Sequence, residues 1–155
     1  MPINTFHDCT MPENVQYFSK TVGFIAGSFD ILHPGYIAAL GEAKTHCDYL
    51  IVGLHTDPSE QRSHKFKPVC SATERTRALL SLKFVDIVIP YKTEQDLYNI
   101  LKNNDISVRF LGDDYIDKET TGDDLNIKNI YLSRDHGWSY SKLIKLILEN
   151  TIATK

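Results

Sequence analysis

The sequence predicts an α/β fold, a doubly wound parallel five-stranded sheet with helices on both faces, and three observations predict it. Short apolar, partly β-branched runs alternate with amphipathic segments along the chain. That alternation is the signature of right-handed βαβ units gathered into a parallel sheet. Polar motifs follow the ends of three of these runs, at Ser28 to His33, Gly112 to Asp114 and Arg134 to Ser141. In parallel sheets ligands bind outside the carboxyl ends of the strands, at the switch in strand order, so all three motifs open into one crevice. Finally, 155 residues suit one domain burying roughly two-thirds of its unfolded-state surface.

Residues 1–20 are polar and unpatterned and read as an N-terminal arm; residues 21–150 read as the domain and 151–155 as a tail. The His7-Asp8-Cys9 triplet has no partner pair nearby and is not read as a metal site. A first strand carries Val22, Phe24 and Ile25, and a helix follows Pro34 with Ile37, Leu40 and Ala43 at helical spacing. Tyr49 to Leu54 is a second buried strand, and residues 58–72 are a polar loop over the crevice. Thr73 to Leu82 is a helix with Leu79, Leu80 and Leu82 on its apolar side. Asp86 to Pro90 is the third strand. Glu94 to Lys102 is amphipathic, with Leu97, Ile100 and Leu101 inward. Ser107 to Leu111 and Asn129 to Leu132 are the last strands. Ser139 to Glu149 is a closing helix with Leu143, Leu146 and Ile147 at core spacing.

The stretch VGFIAGSFDILHPGYIAALGEA organises the site. Its strand breaks at Gly27-Ser28, where small residues let another molecule approach the backbone. Pro34 suits a helix start because its missing N–H would have no partner there. A helix N-terminus offers free N–H groups and the positive end of its dipole to an anion, and His33 adds a donor in the same turn. The reading is a phosphate-handling turn in a Rossmann-like frame.

Charged residues make up 24% and hydrophobic ones 42%, and net charge is -3. Nothing there advertises a nucleic-acid or anionic-membrane partner, and no apolar run approaches a membrane span of about 20 residues. Cys9, Cys47 and Cys70 are odd in number and widely spaced, which suggests reduced thiols and a cytoplasmic setting.

GSFDILHPGY resembles the nucleotidyltransferase signature G-[TS]-F-D-x-x-H-x-G-H, with Gly27, Ser28, Phe29, Asp30, His33 and Gly35 in register. AKTHCDYLIVGLHTD, KPVCSATERTRALLSLKFVDIVIP, FLGDDY and SRDHGWSYSKL are similar to successive segments of the cytidylyltransferases, especially the glycerol-3-phosphate type. The resemblance runs from about Val22 to Ile147. It implies transfer of CMP from CTP to a small phosphorylated alcohol or sugar, with release of pyrophosphate and no covalent enzyme intermediate. On that resemblance His33, Lys65, Lys67 and Arg134 are catalytic, one of the two lysines reaching the phosphates. Gly27, Ser28, Phe29, Asp30, His33, Gly35, Tyr36, Gly112, Asp113, Asp114, Arg134, Ser139, Tyr140 and Ser141 bind nucleotide. Arg75 and His55 lie at the acceptor, with a carboxylate partner the alternative for Arg75. Asp30 or Asp114 holds Mg²⁺, and a homodimer is implied. The remaining histidines, His136 among them, read as surface or structural groups.

Tyr36 departs from the signature's second histidine, offering a neutral hydroxyl with a reference pKa of about 10. Losing one such donor typically costs on the order of 10²–10³ in rate. A slower enzyme, an adapted acceptor pocket and a nucleotide-binding or regulatory protein of the same fold are therefore the alternatives, beside an adenylyltransferase of coenzyme biosynthesis.

Overall fold

The computed structural model describes residues 20–154; the rest of the arm and the His7-Asp8-Cys9 triplet lie outside the described residues. Five parallel strands, β1 (Val22–Gly27), β2 (Tyr49–His55), β3 (Ile87–Tyr91), β4 (Val108–Gly112) and β5 (Lys128–Leu132), form one sheet. Their order is β3-β2-β1-β4-β5. Four helices connect or follow them: α1 (Pro34–Thr45), α2 (Ala72–Leu80), α3 (Glu94–Asn103) and α4 (Tyr140–Ala153).

The central strand β1 explains the two-faced core. Successive side chains of a strand point to opposite faces, and Phe24 and Ile25 enter different clusters. Phe24 packs with Ile51 of β2 and with Leu97 and Leu101 of α3. Ile25 packs with Leu40 and Ala43 of α1 and Leu79 of α2. Helices thus cover both faces, as the alternation predicts.

Local chemistry sets the helix starts. His33 caps α1, with Pro34 at its first position. Capping boxes pair Ser71 with Glu74 at α2 and Thr93 with Asp96 at α3, and Ser139 caps α4. Each such cap contributes about 1 kcal/mol.

Three apolar expectations change. Ile37 is 40% exposed although Leu40 and Ala43 are buried. Each step of three residues falls about 60° short of a full turn, so the stripe drifts off the core over two steps. Leu80 and Ile147, also expected inward, are exposed. Helix α4 runs past Glu149 to Ala153 and has no fully buried residue. Among the described residues no helix is long and apolar enough to cross a membrane.

Candidate active site

The crevice lies where strand order switches, between the carboxyl ends of β1 and β4, and encloses about 1150 Å³. That volume exceeds most single-ligand pockets and leaves room for a nucleotide beside a second small substrate. Gly27 to Asp30, His33, Gly35, Tyr36, His55, Lys65, Gly112, Asp114, Arg134 and Ser139 to Ser141 all line it. Lys67, Arg75 and Asp113 are absent from that lining.

The turn after β1 is tightly held. Phe29 has φ +43°, a left-handed conformation costing on the order of 1–3 kcal/mol in a residue other than glycine. Its ring is buried and tilts against Tyr36, 5.1 Å between centroids, so Phe29 anchors the turn rather than reaching the crevice with a polar group. Asp30, buried, accepts hydrogen bonds from Val69 N and Cys70 N, both 2.8 Å, and from the Tyr140 hydroxyl, 2.7 Å. This corrects the expectation for two residues. Asp30 spends its carboxylate tying the loop and α4 to the first turn instead of facing a metal. Tyr140 spends its hydroxyl on Asp30 instead of on nucleotide, and that bond, with burial as the larger cause, raises its pKa.

His33 is shaped as a donor. Its Nδ1 accepts from Gly35 N at 3.1 Å and Tyr36 N at 3.4 Å. The proton of the neutral ring therefore sits on Nε2, which is buried and unpartnered. Tyr36 stacks on one side, 4.0 Å between centroids, and Trp138 lies near-parallel at 6.1 Å. Burial pushes the pKa of the Tyr36 hydroxyl up, so it stays neutral.

Across the switch, Arg134 pairs with Asp114 at 3.1 Å and its N–H donates to Asp113. A Cβ on Gly112 would lie 2.4 Å from the Asp114 carboxylate, the movable end of an exposed side chain. The Ser139 hydroxyl accepts from Lys142 N as the α4 cap, and exposed Ser141 lines the crevice. Of the two loop lysines, both exposed, Lys65 lines the crevice.

Arg75 is 1% exposed. Its guanidinium donates to Cys70 O at 2.9 Å, to Ser28 O and His55 O at 2.8 Å each, and to Thr56 O at 2.5 Å. Its placement at the acceptor is thereby corrected, as is the alternative of a carboxylate partner: it knits the ends of β1 and β2 to the loop and α2. His55 lines the crevice from the end of β2, buried, with both ring nitrogens unpartnered and its ring against Tyr91.

No three His, Cys, Asp or Glu side chains gather into a metal cluster among the described residues. With Asp30 taken by three donors, this set does not fit a preformed divalent cage, which needs several free oxygen ligands.

His136, read as a surface or structural group, is exposed. It lines the crevice, its Nδ1 accepts from Trp138 N at 3.0 Å, and its Cε1 would lie 2.8 Å from a Cβ on Gly35. Gly35 would also bring that Cβ within 2.8 Å of Trp138 Cβ. Alanine at 35 is therefore expected to destabilise. The helical gain over glycine, up to about 1 kcal/mol, is outweighed by an overpacking cost of about 1–3 kcal/mol. A shifted fluorescence maximum of Trp138, the sole tryptophan, together with a lower urea midpoint checks this.

Burial lowers the pKa of both His33 and His55, with His136 and Arg134 adding to the effect on His33 and Arg62 on His55. Unfolded histidines protonate near pH 6.5, so just below that pH the unfolded chain binds more protons than the folded one. Stability is accordingly expected to fall as pH drops below about 6.5. Urea midpoints at pH 7.5 and 5.5 measure the drop, which shrinks in a His55→Phe variant.

A family model described as cytidylyltransferase-like matches residues 24–138. The bifunctional protein HldE of Caulobacter sp. (strain K31) is 42% identical over 105 residues, 67% of this chain and 21% of that protein. HldE of Helicobacter pylori (strain Shi470) is 34% identical over 153 residues, 94% of this chain and 32% of that protein. The chain thus spans a minor part of the length of these relatives. Among solved structures, the lipopolysaccharide core biosynthesis protein from Thermoplasma volcanium GSS1 superposes with a TM-score of 0.59 at 26% identity, covering 74% of this chain and 95% of that one. Pantothenate synthetase from Thermus thermophilus shares the fold alone, with a TM-score of 0.51 at 16% identity over 73% of this chain and 55% of that one. With its signature turn, its parallel sheet and a match over most of its length, this chain belongs to the cytidylyltransferase-like family of nucleotidyltransferases.

Proposed function

We propose that the chain transfers a nucleotidyl group from a nucleoside triphosphate to the phosphate of a small phosphorylated sugar or alcohol. An oxygen of the acceptor phosphate attacks the α-phosphorus, the bond to the bridging oxygen breaks, and pyrophosphate leaves. The observation that carries this reading is the His33 Nε2–H, buried and unpartnered at the N-terminus of α1 and fixed as a donor by its own cap. Such a group stabilises charge as it develops on a phosphate oxygen. The positive end of the α1 dipole adds to it. Arg134 and Lys65 supply positive charge from two other sides, and the work is positioning and neutralisation.

Mg²⁺ belongs to this reading as the counter-ion the triphosphate brings, with Asp114 the expected carboxylate that can turn to it. CTP is the nucleotide suggested by Gly112-Asp113-Asp114 and the Arg134 segment, and ATP is the alternative. The neighbour named for lipopolysaccharide core biosynthesis supports a sugar phosphate over a simpler alcohol phosphate. A cytoplasmic homodimer is also proposed, with the exposed Ile147, Leu148 and Ile152 of α4 as apolar surface for it to cover.

The test is pyrophosphate release with Mg²⁺, CTP and ATP in parallel, over a panel of sugar, glycerol and choline phosphates. Release with one nucleotide and one acceptor class supports the reading. A second reading, a nucleotide binder without turnover, is favoured by Tyr36, whose half-buried neutral hydroxyl brings no charge to the phosphates. It predicts a thermal shift with nucleotide, no release with any acceptor, and turnover gained by Tyr36→His.

A further inference from the structure

His33 and His136 are built alike. Each uses Nδ1 to accept the backbone N–H two residues on, Gly35 at 3.1 Å and Trp138 at 3.0 Å. A neutral ring held this way carries its proton on Nε2. The two rings come from opposite sides of the sheet's switch, one after β1 and one after β5, yet they meet over the first turn of α1. A Cβ on Gly35 would lie 2.8 Å from His136 Cε1 and 3.0 Å from His33 Cε1. Both rings line the crevice. His33 Nε2, buried and unpartnered, already marks a place where an acceptor is missing.

Tyr36 cannot fill a second donor role of the same kind. It stacks on His33 and brings a neutral hydroxyl where an imidazole would bring a ring N–H. Arg134, two residues before His136, is held by Asp114 at the rim. The exposed His136 is thus the imidazole that faces the phosphate-binding turn opposite His33.

We propose that His136 is a second phosphate-binding group of the crevice, its Nε2–H donating to the polyphosphate chain that His33 also contacts. The proposal rests on the nucleotidyl-transfer reading, and it places on the β5–α4 loop a donor that the first motif lacks. The crevice therefore closes on phosphate from two loops, and the Arg134-to-Ser139 segment takes part in binding through a residue other than its arginine.

The test separates the two nitrogens. In His136→Asn the side-chain oxygen still accepts the Trp138 N–H, as asparagine does two residues ahead of a turn, but the far N–H is gone. Unchanged emission from Trp138 reports that the loop is retained. Calorimetry with inorganic tripolyphosphate, which has no base or acceptor to bind elsewhere, is expected to show about tenfold weaker binding in His136→Asn. His136→Gln, whose longer amide can still present an N–H, is expected to recover part of that loss. Wild-type affinity in His136→Asn overturns the proposal, and so does a wild-type protein that fails to bind tripolyphosphate. Absence of pyrophosphate release in the wild type, with tripolyphosphate binding weakened in His136→Asn, overturns the transfer reading and leaves His136 as a phosphate ligand.

Discussion

Replacing His33 by Asn lowers turnover about 10²- to 10³-fold while the protein stays folded. Asparagine is among the best N-cap residues, so its side-chain oxygen takes over the acceptor role that Nδ1 plays toward Gly35 N and Tyr36 N. What the variant loses is the Nε2–H. Removing one donor aimed at developing charge typically costs about 10²–10³ in rate. His33→Ala removes the cap as well and loses about 1 kcal/mol of stability in addition. Pyrophosphate release and urea melts on the two variants separate the contributions. An Asn variant with wild-type turnover would sink the assignment of Nε2.

Arg75→Leu is expected to lose at least about 3 kcal/mol, the largest stability effect among these variants. Four carbonyls, on Ser28, His55, Thr56 and Cys70, depend on one guanidinium. A buried carbonyl left without a donor costs about 1–3 kcal/mol, so even with water reaching some of the four the loss is heavy. Arg75→Lys recovers only part of it, since an ammonium on a flexible stem lacks the planar fork that serves four acceptors at once. The urea midpoint and its slope measure this. A Leu variant within about 1 kcal/mol of wild type would contradict the cradle described for Arg75.

Features with a local cause are legible in the sequence, and features made by distant partners are not. The five strands are readable because buried parallel strands are continuous apolar runs, and Leu50, Val52 and Leu54 admit no other reading once Gly53 and the flanking turns are in place. The turn from Gly27 to Gly35 is readable because its residue types each have a local job: closeness, capping, a helix start. Arg75 is not. Its four partners come from segments some 47, 20, 19 and 5 residues away, and no spacing rule connects them. Asp30 misleads for the same reason, since its bond to Tyr140 spans 110 residues. His136 reads as a surface group and is exposed, but its place in the crevice wall depends on a neighbour with no side chain at all, Gly35.

The position of β1 in the middle of the sheet bears on how this protein comes to have a site at all. The β1-α1-β2-α2-β3 half joins neighbours in sequence, and its pairings close short loops. The junction of β1 with β4 joins residues such as Val22 and Ser107, 85 apart. Closing long loops costs more chain entropy and comes late in folding. The crevice lies on that late junction, so a half-assembled chain has His33 but neither Arg134 nor the Asp114 turn beside it. On the proposed transfer reading, phosphate that bridges the two halves would bind the completed sheet alone and, by mass action, favour the last docking step. On that reading the substrate would also be the final fastener of the fold.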